Sequence, residues 1–135
     1  MKYLLDVNAL VALGFRHHEF HGLVAAWVRA QQFPPLATCS ITELGFVRVL
    51  AQAPAYGLTV AQARTLLLRL KASSALAVTF IPDGHDISHL PPWVKGPKQT
   101  TDGHLAELAS ANGALLATLD EKIPKAYRIL RNRIR

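Results

Sequence analysis

The chain has 135 residues, 50% hydrophobic and 18% charged, with fifteen Lys and Arg against nine Asp and Glu for a formal charge of +6. A chain of this length and composition is expected to bury a real core as one domain, residues 1–135; it is too apolar for a disordered segment, and its apolar runs fall short of the ~18–20 residues that cross a bilayer. One cysteine, Cys39, excludes an intramolecular disulfide framework, and the acid at Asp6 comes too early for a signal-peptide core, so a cytoplasmic protein is expected, with a positive surplus that suits nucleic acid or an acidic partner.

In chain order, Lys2–Leu5 is an apolar run closed by Asp6 and followed at once by a helix carrying Ala9, Leu10, Val11 and Leu13, the opening of an α/β unit. From His18 to Gln31, Phe20, Leu23, Val24, Trp27 and Val28 recur at the spacing of one helical face. Pro34-Pro35 stops that helix, because proline lacks an N–H and crowds the preceding turn. Leu36–Cys39 predicts a second strand, and Ser40 opens a helix that fades near Pro54. Thr59 caps the next helix, with Val60, Ala63, Leu66, Leu67 and Leu70 turned inward. Ala77–Ile81 predicts a third strand, a helix runs from near Thr100 to Gly113, and Ala114–Leu119 predicts a fourth strand.

Two segments stand apart. Prolines and glycines make Pro82–Gln99 a long loop, either a plain connection or a functional lid. Residues 122–135 hold Lys122, Lys125, Arg128, Arg131, Arg133 and Arg135 and no acid, which reads as a solvated tail or as a phosphate-contacting segment. Its alternation of basic and apolar residues fits an irregular edge strand or a basic helix.

Strands alternating with helices predict an α/β fold with a mostly parallel sheet covered on both faces. Right-handed crossovers then bring the strand carboxyl ends to one edge, where ligands of such sheets bind. Asp6 and Asp120 follow strands, and Glu43 and Asp102 sit in first helical turns, so all four acids fall on that edge. Each has an ordinary structural use. Asp6 and Asp120 suit helix N-caps, Glu43 suits a capping box with Ser40, and Asp102 suits the positive end of a helix. Four such acids together would repel one another and raise their pKa values, a conflict that a hard divalent cation such as Mg²⁺ or Mn²⁺ removes.

With these residues in place, the chain resembles the PIN-domain family, in particular its VapC-type toxins. Leu4-Leu5-Asp6-Val7-Asn8-Ala9-Leu10-Val11-Ala12-Leu13 looks like that family's opening strand and helix, and Ser40-Ile41-Thr42-Glu43-Leu44-Gly45-Phe46-Val47-Arg48-Val49-Leu50 resembles its second motif. Thr101-Asp102-Gly103-His104-Leu105-Ala106-Glu107-Leu108-Ala109 is similar to the third, and Ala117-Thr118-Leu119-Asp120 to the fourth. The resemblance implies a PIN-like three-layer α/β/α sandwich with a mostly parallel sheet of four or five strands. It also implies an endoribonuclease toxin whose Asp6, Glu43, Asp102 and Asp120 hold Mg²⁺ or Mn²⁺. An ion there activates water, orients the phosphodiester and neutralises developing charge, leaving a 5′-phosphate and a 3′-hydroxyl. A cognate antitoxin protein that places an arginine among the carboxylates, and a homodimer paired through helices, are further implications.

Supporting roles stay open at this level. Asn8 either orients a metal-bound water or caps the first helix, and Thr118 either hydrogen-bonds the carboxylates or is an ordinary strand threonine. Arg48 either faces substrate phosphate or lies on a solvated helix face. His104 invites a general-base role that a metal makes unnecessary; Cys39 reads as core, and His17, His18 and His21 as surface. Two rival functions compete: a non-catalytic PIN-like module binding RNA or protein, and a metal-dependent nuclease or phosphatase outside toxin–antitoxin systems. Retention of all four acids weighs against the first, since an RNA-binding surface gains affinity by losing them. Asn8, where an aspartyl-phosphate phosphatase needs a second aspartate, weighs against a phosphatase.

Overall fold

β1 (Lys2–Leu5) shows how the sheet is sandwiched: Tyr3 and Leu5 turn to one face and Leu4 to the other, and all three are buried. The alternation follows from the two-residue period of a strand, and burial on both sides requires helices on both faces. The computed structural model describes residues 1–120 and 122–129. Within them the chain runs β1, α1 (Val7–Gly14), α2 (His21–Ala30), β2 (Leu36–Thr38), α3 (Ser40–Gln52), α4 (Val60–Ala72), β3 (Val78–Phe80), α5 (Thr100–Ala111), β4 (Ala114–Thr118) and β5 (Tyr127–Arg128). The sheet is parallel at every pairing, in the order β3-β2-β1-β4-β5.

One face carries residues of α1 to α4, including Leu10, Val24, Trp27, Phe46, Leu50 and Leu67. The other carries α5, with Leu105, Leu108 and Ala109 packed on Leu4, Ala37, Cys39 and Leu116. The result is the three-layer α/β/α sandwich expected from the sequence. Cys39 is a buried core residue. Among the described residues no helix is long and apolar enough to cross a membrane.

Local chemistry sets the ends of the elements. Thr59 Oγ1 accepts the Gln62 N–H at 3.0 Å while Gln62 Oε1 accepts the Thr59 N–H at 2.9 Å, so the predicted cap of α4 is a reciprocal one. α2 begins at His21 and not at His18, because His18 Nδ1 accepts the Phe20 N–H at 3.0 Å and closes a turn first. The long loop before α5 holds short 3₁₀ turns at Ile87–His89 and Pro97–Gln99. After α5 the chain reverses through Gly113, whose φ of +66° is a backbone conformation that a side chain would strain.

Part of the basic C-terminal segment is an edge strand: Tyr127 and Arg128 pair in parallel with Ala117 and Thr118. Tyr127 is anchored by edge-on contacts of its ring with Tyr3 and by the Trp27 Nε1–H, which donates to its hydroxyl at 3.2 Å. Arg131, Arg133 and Arg135 lie outside the described residues.

Candidate active site

β1 lies between β2 and β4, with β2 and β3 running out to one side and β4 and β5 to the other. The crossovers therefore reverse direction at the β1/β4 boundary, and a crevice opens outside the carboxyl ends of those strands. Asp6 and Asp120 stand at the two lips of that crevice, one after β1 and one after β4.

Asp6 is buried, with 7% of its surface exposed. Its Oδ1 accepts the Ala9 N–H at 2.9 Å as the N-cap of α1, and its Oδ2 accepts the Thr118 hydroxyl at 2.5 Å. The Thr118 oxygen in turn accepts the Asp120 N–H at 2.9 Å, so this buried threonine links the carboxylate of one strand exit to the backbone of the next. Burial pushes the Asp6 carboxyl up to about 6; the two hydrogen bonds pull against that, and the negative charges of Asp102 and Asp120 add to it. Burial likewise raises Asp102, in the first turn of α5, and Asp120 raises it further. Three acids from distant parts of the chain thus feel one another across the crevice.

Glu43 has a different set of partners. Its Oε2 accepts the Thr38 hydroxyl at 2.6 Å and lies 2.6 Å from Lys71 Nζ, in the last turn of α4. The expected capping box with Ser40 does not form. Thr42 Oγ1 closes the first turn of α3 instead, accepting the Cys39 N–H at 3.0 Å, which leaves Glu43 free to reach the threonine and the lysine. Nor does Asp120 cap a helix: its Oδ1 accepts the Lys122 N–H at 2.8 Å across a turn. Asp102 makes no capping bond, and the residue preceding α5 is Gln99.

Two glycines let these acids come close. A Cβ on Gly45 would lie 2.5 Å from Val7 Cγ2, so the helix starts that carry Asp6 and Glu43 pack against each other only without it. A Cβ on Gly103, beside Asp102, would collide with the Val94 side chain. The loop is also clasped to α5 where Asp83 Oδ2 meets His104 Nε2 at 2.5 Å.

Among the supporting residues, Asn8 is exposed and lines a cleft of about 400 Å³ with Asp120, Leu119, His18, Glu19 and Phe20. Arg48 does not join the acids. Five positions along α3 turn it roughly 140° from Glu43 at 100° per residue, and it lines a groove with Leu44, Val47, Ala51, Gln52 and Val60. Lys71 and the cleft residues His18 and Glu19 were not foreseen, because no local spacing marks a lysine at the end of one helix as the partner of a glutamate at the start of another. Among the described residues no three His, Cys, Asp or Glu side chains stand ready-made around one metal position. The donor chemistry nonetheless suits a hard divalent cation: the acids on this edge offer carboxylate oxygens, and buried Asp6 bears a charge that its surroundings disfavour.

Comparison with known proteins gives the family and bears on the fold. The PIN domain family matches residues 3–129. The chain is 38% identical over 122 residues to Ribonuclease VapC38 of Mycobacterium tuberculosis, covering 87% of this chain and 84% of that protein. It is 36% identical over 129 residues to Ribonuclease VapC44 of the same species, covering 91% and 89%. In structure it is similar to VapC20 of Mycobacterium tuberculosis, described as a sarcin–ricin loop cleaving toxin, with a TM-score of 0.61 at 11% identity over 96% of this chain and 99% of that one. It is also similar to VapBC2 from Rickettsia felis bound to a promoter DNA fragment, with a TM-score of 0.63 at 15% identity over 95% and 97%. With the acidic crevice placed at the β1/β4 boundary and these relatives matched over most of their length, the chain belongs to the PIN-domain family and, within it, to the VapC ribonucleases.

Proposed function

We propose that the protein is an endoribonuclease that hydrolyses RNA phosphodiesters with the aid of Mg²⁺ or Mn²⁺. The observation that carries the reading is that Asp6, Asp102 and Asp120 share the carboxyl edge of the sheet at its reversal point, with Asp6 pushed up to about 6 by burial and by the negative charges of the other two. Those three carboxylates would hold the ion, with Glu43 beside them on the same edge. Bound there, a divalent cation supplies an activated water and charge neutralisation at the phosphodiester. The chain's own residues supply orientation. Thr118 fixes the Asp6 carboxylate by donating to it, and the Ala9 N–H at the start of α1 holds the other oxygen. Asn8, exposed at the cleft shared with Asp120, is placed to contact the sugar–phosphate backbone. We retain Arg48 outside the reacting centre, on the grounds of its groove on α3.

The ribonuclease names of the relatives support RNA as substrate, and the pairing in the Rickettsia felis VapBC2 structure supports an antitoxin protein as partner. An antitoxin arginine would satisfy the crevice by the same charge logic as a cation. We extend the reading to a homodimer, since Leu44, Val60 and Leu68 leave apolar area on α3 and α4 uncovered, and to the cytoplasm, where a ribonuclease meets RNA. The test uses the full chain purified free of partner, incubated with single-stranded RNA and Mg²⁺ or Mn²⁺. Cleavage is expected to stop with chelator and to fall at least a hundredfold in Asp6→Asn and Asp102→Asn, on the order expected when a group stabilising the transition state is lost. Cleavage that persists undiminished in chelator would overturn the mechanism.

A further inference from the structure

Beside the acids, the cleft of about 400 Å³ between Asn8, His18, Glu19, Phe20, Leu119 and Asp120 carries groups that hydrolysis does not use. Its volume lies in the ~300–1,000 Å³ range of sites that hold a small organic group. Phe20 and Leu119 give it apolar walls, and both pack on the core, which fixes them. His18 is held from three sides. Its N–H donates to the Phe15 carbonyl at 3.1 Å, its carbonyl accepts the His21 N–H at 3.0 Å, and its Nδ1 accepts the Phe20 N–H at 3.0 Å. A ring nitrogen that accepts carries no proton, so the proton of this neutral imidazole sits on Nε2, which is left as a donor. Burial favours the neutral ring and holds His18 below its usual range, with Glu19 opposing and His21 adding to the effect. Glu19 itself is exposed and makes no hydrogen bond or ion pair among the described residues, so both carboxylate oxygens are left to accept.

Consecutive residues thus bring one N–H donor and two carboxylate acceptors to the same apolar cleft. Unpaired RNA bases are read by stacking on aromatic rings and by hydrogen bonds along their edges. The pairing edge of guanine presents one acceptor, O6, and then two adjacent donors, N1–H and the N2 amino group. In adenine and cytosine a ring nitrogen follows the single amino donor and would face the second carboxylate oxygen, lone pair to lone pair. In uracil the one N–H lies between two carbonyls, which repel a carboxylate. Resting on the ribonuclease reading above, we infer that the cleft is a guanine subsite. The base lies against Phe20, the His18 Nε2–H donates to O6, and the Glu19 carboxylate accepts from N1–H and the N2 amino group. Asp120 lines the same cleft, so this guanine belongs to a nucleotide beside the scissile phosphodiester. His18 and Glu19 select the RNA and take no part in the bond cleavage.

Fluorescein-labelled oligouridylates, each with one central guanine, adenine or cytosine or with uracil throughout, test this by anisotropy with the full chain in chelator, where no cleavage is needed. The guanine oligomer is expected to bind at least about fivefold tighter than the other three, the lower end for a bidentate contact to a base. Inosine in place of guanine lacks the N2 amino group and should lose most of that advantage, a result that depends on no variant folding. Glu19→Gln, a change at an exposed side chain, should abolish the preference. Equal binding of the four oligomers by the parent, or a guanine preference that survives Glu19→Gln, would overturn the inference and leave metal-dependent cleavage standing. A parent that prefers guanine but cleaves no RNA with Mg²⁺ or Mn²⁺ would remove the ribonuclease reading and leave the base-binding cleft.

Discussion

At Asp6 two demands meet in one side chain. As the N-cap of α1 it must accept the Ala9 N–H, and as a member of an acidic crevice it must carry charge where burial disfavours charge. The consequence for stability has a definite sign. An unfolded aspartate titrates near ~3.9, while folded Asp6 holds its proton up to about 6. Below pH ~4 the proton is bound in both states and nothing is lost; between pH ~4 and about 6 stability falls as pH rises, and above that the loss is complete. Two pKa units correspond to a loss on the order of 3 kcal/mol in protein stripped of divalent ions. Asp6→Asn keeps an oxygen for the Ala9 N–H and carries no charge. In chelator at pH 7.5 it is therefore expected to unfold at higher denaturant than the parent, by about 1–3 kcal/mol, with the gap closing toward pH 4. Urea titrations at the two pH values check this, and a variant less stable than the parent at pH 7.5 would refute the assignment of strain to this carboxyl.

Helices and loops bring the acids together through small residues as much as through polar ones. α5 presents Asp102 to the crevice from its first turn, and the loop that precedes it must pass over Gly103 to do so. A methyl group there would meet Val94, with Pro91 at 3.4 Å behind, so the loop would have to move. Overpacking of this kind costs about 1–3 kcal/mol. Gly103→Ala should show that loss in chemical denaturation, together with faster amide exchange at Trp93, Val94 and Lys95. Unchanged exchange would mean that the loop gives way without cost. The Asp83–His104 clasp acts on the same loop from its other end. Burial alone would raise the Asp83 carboxyl, but the hydrogen bonds from His104 and the His85 N–H outweigh it and hold the group below its ordinary value. His104 is thereby engaged in holding the loop to α5.

Over the whole molecule, an acidic crevice sits in a protein of net charge +6, so the attraction for RNA must come from basic residues away from the reacting centre. Binding of the Asp102→Asn protein to a single-stranded RNA should weaken steeply with salt. A slope of about −2 to −4 in log K against log [salt] corresponds to roughly three to six neutralised phosphates. Fluorescence anisotropy at several salt concentrations measures it, and a slope near zero would argue against an electrostatic RNA surface. At this scale the limits of the linear chain are also clearest. Asp6, Asp102 and Asp120 could be picked out in advance because each stands at a strand exit or a helix start, and parallel topology sends all such positions to one edge. The alternation of Tyr3, Leu4 and Leu5, the stripe of α2 and the Thr59 cap are equally local, since a period or a capping contact spans only a few residues. The pairing of Glu43 with Lys71, in place of a capping box with Ser40, was not legible for the opposite reason: which way a helical residue faces, and whom it meets, depends on the neighbouring helix. Composition, periodicity and short-range capping thus determined the α/β class, the order of elements and the edge on which the acids gather. Only the tertiary structure decided that Thr118 bridges Asp6 and Asp120, that Lys71 neutralises Glu43 and that Tyr127 closes the sheet, because charge and hydrogen-bond partners act through space between residues that the chain itself keeps far apart.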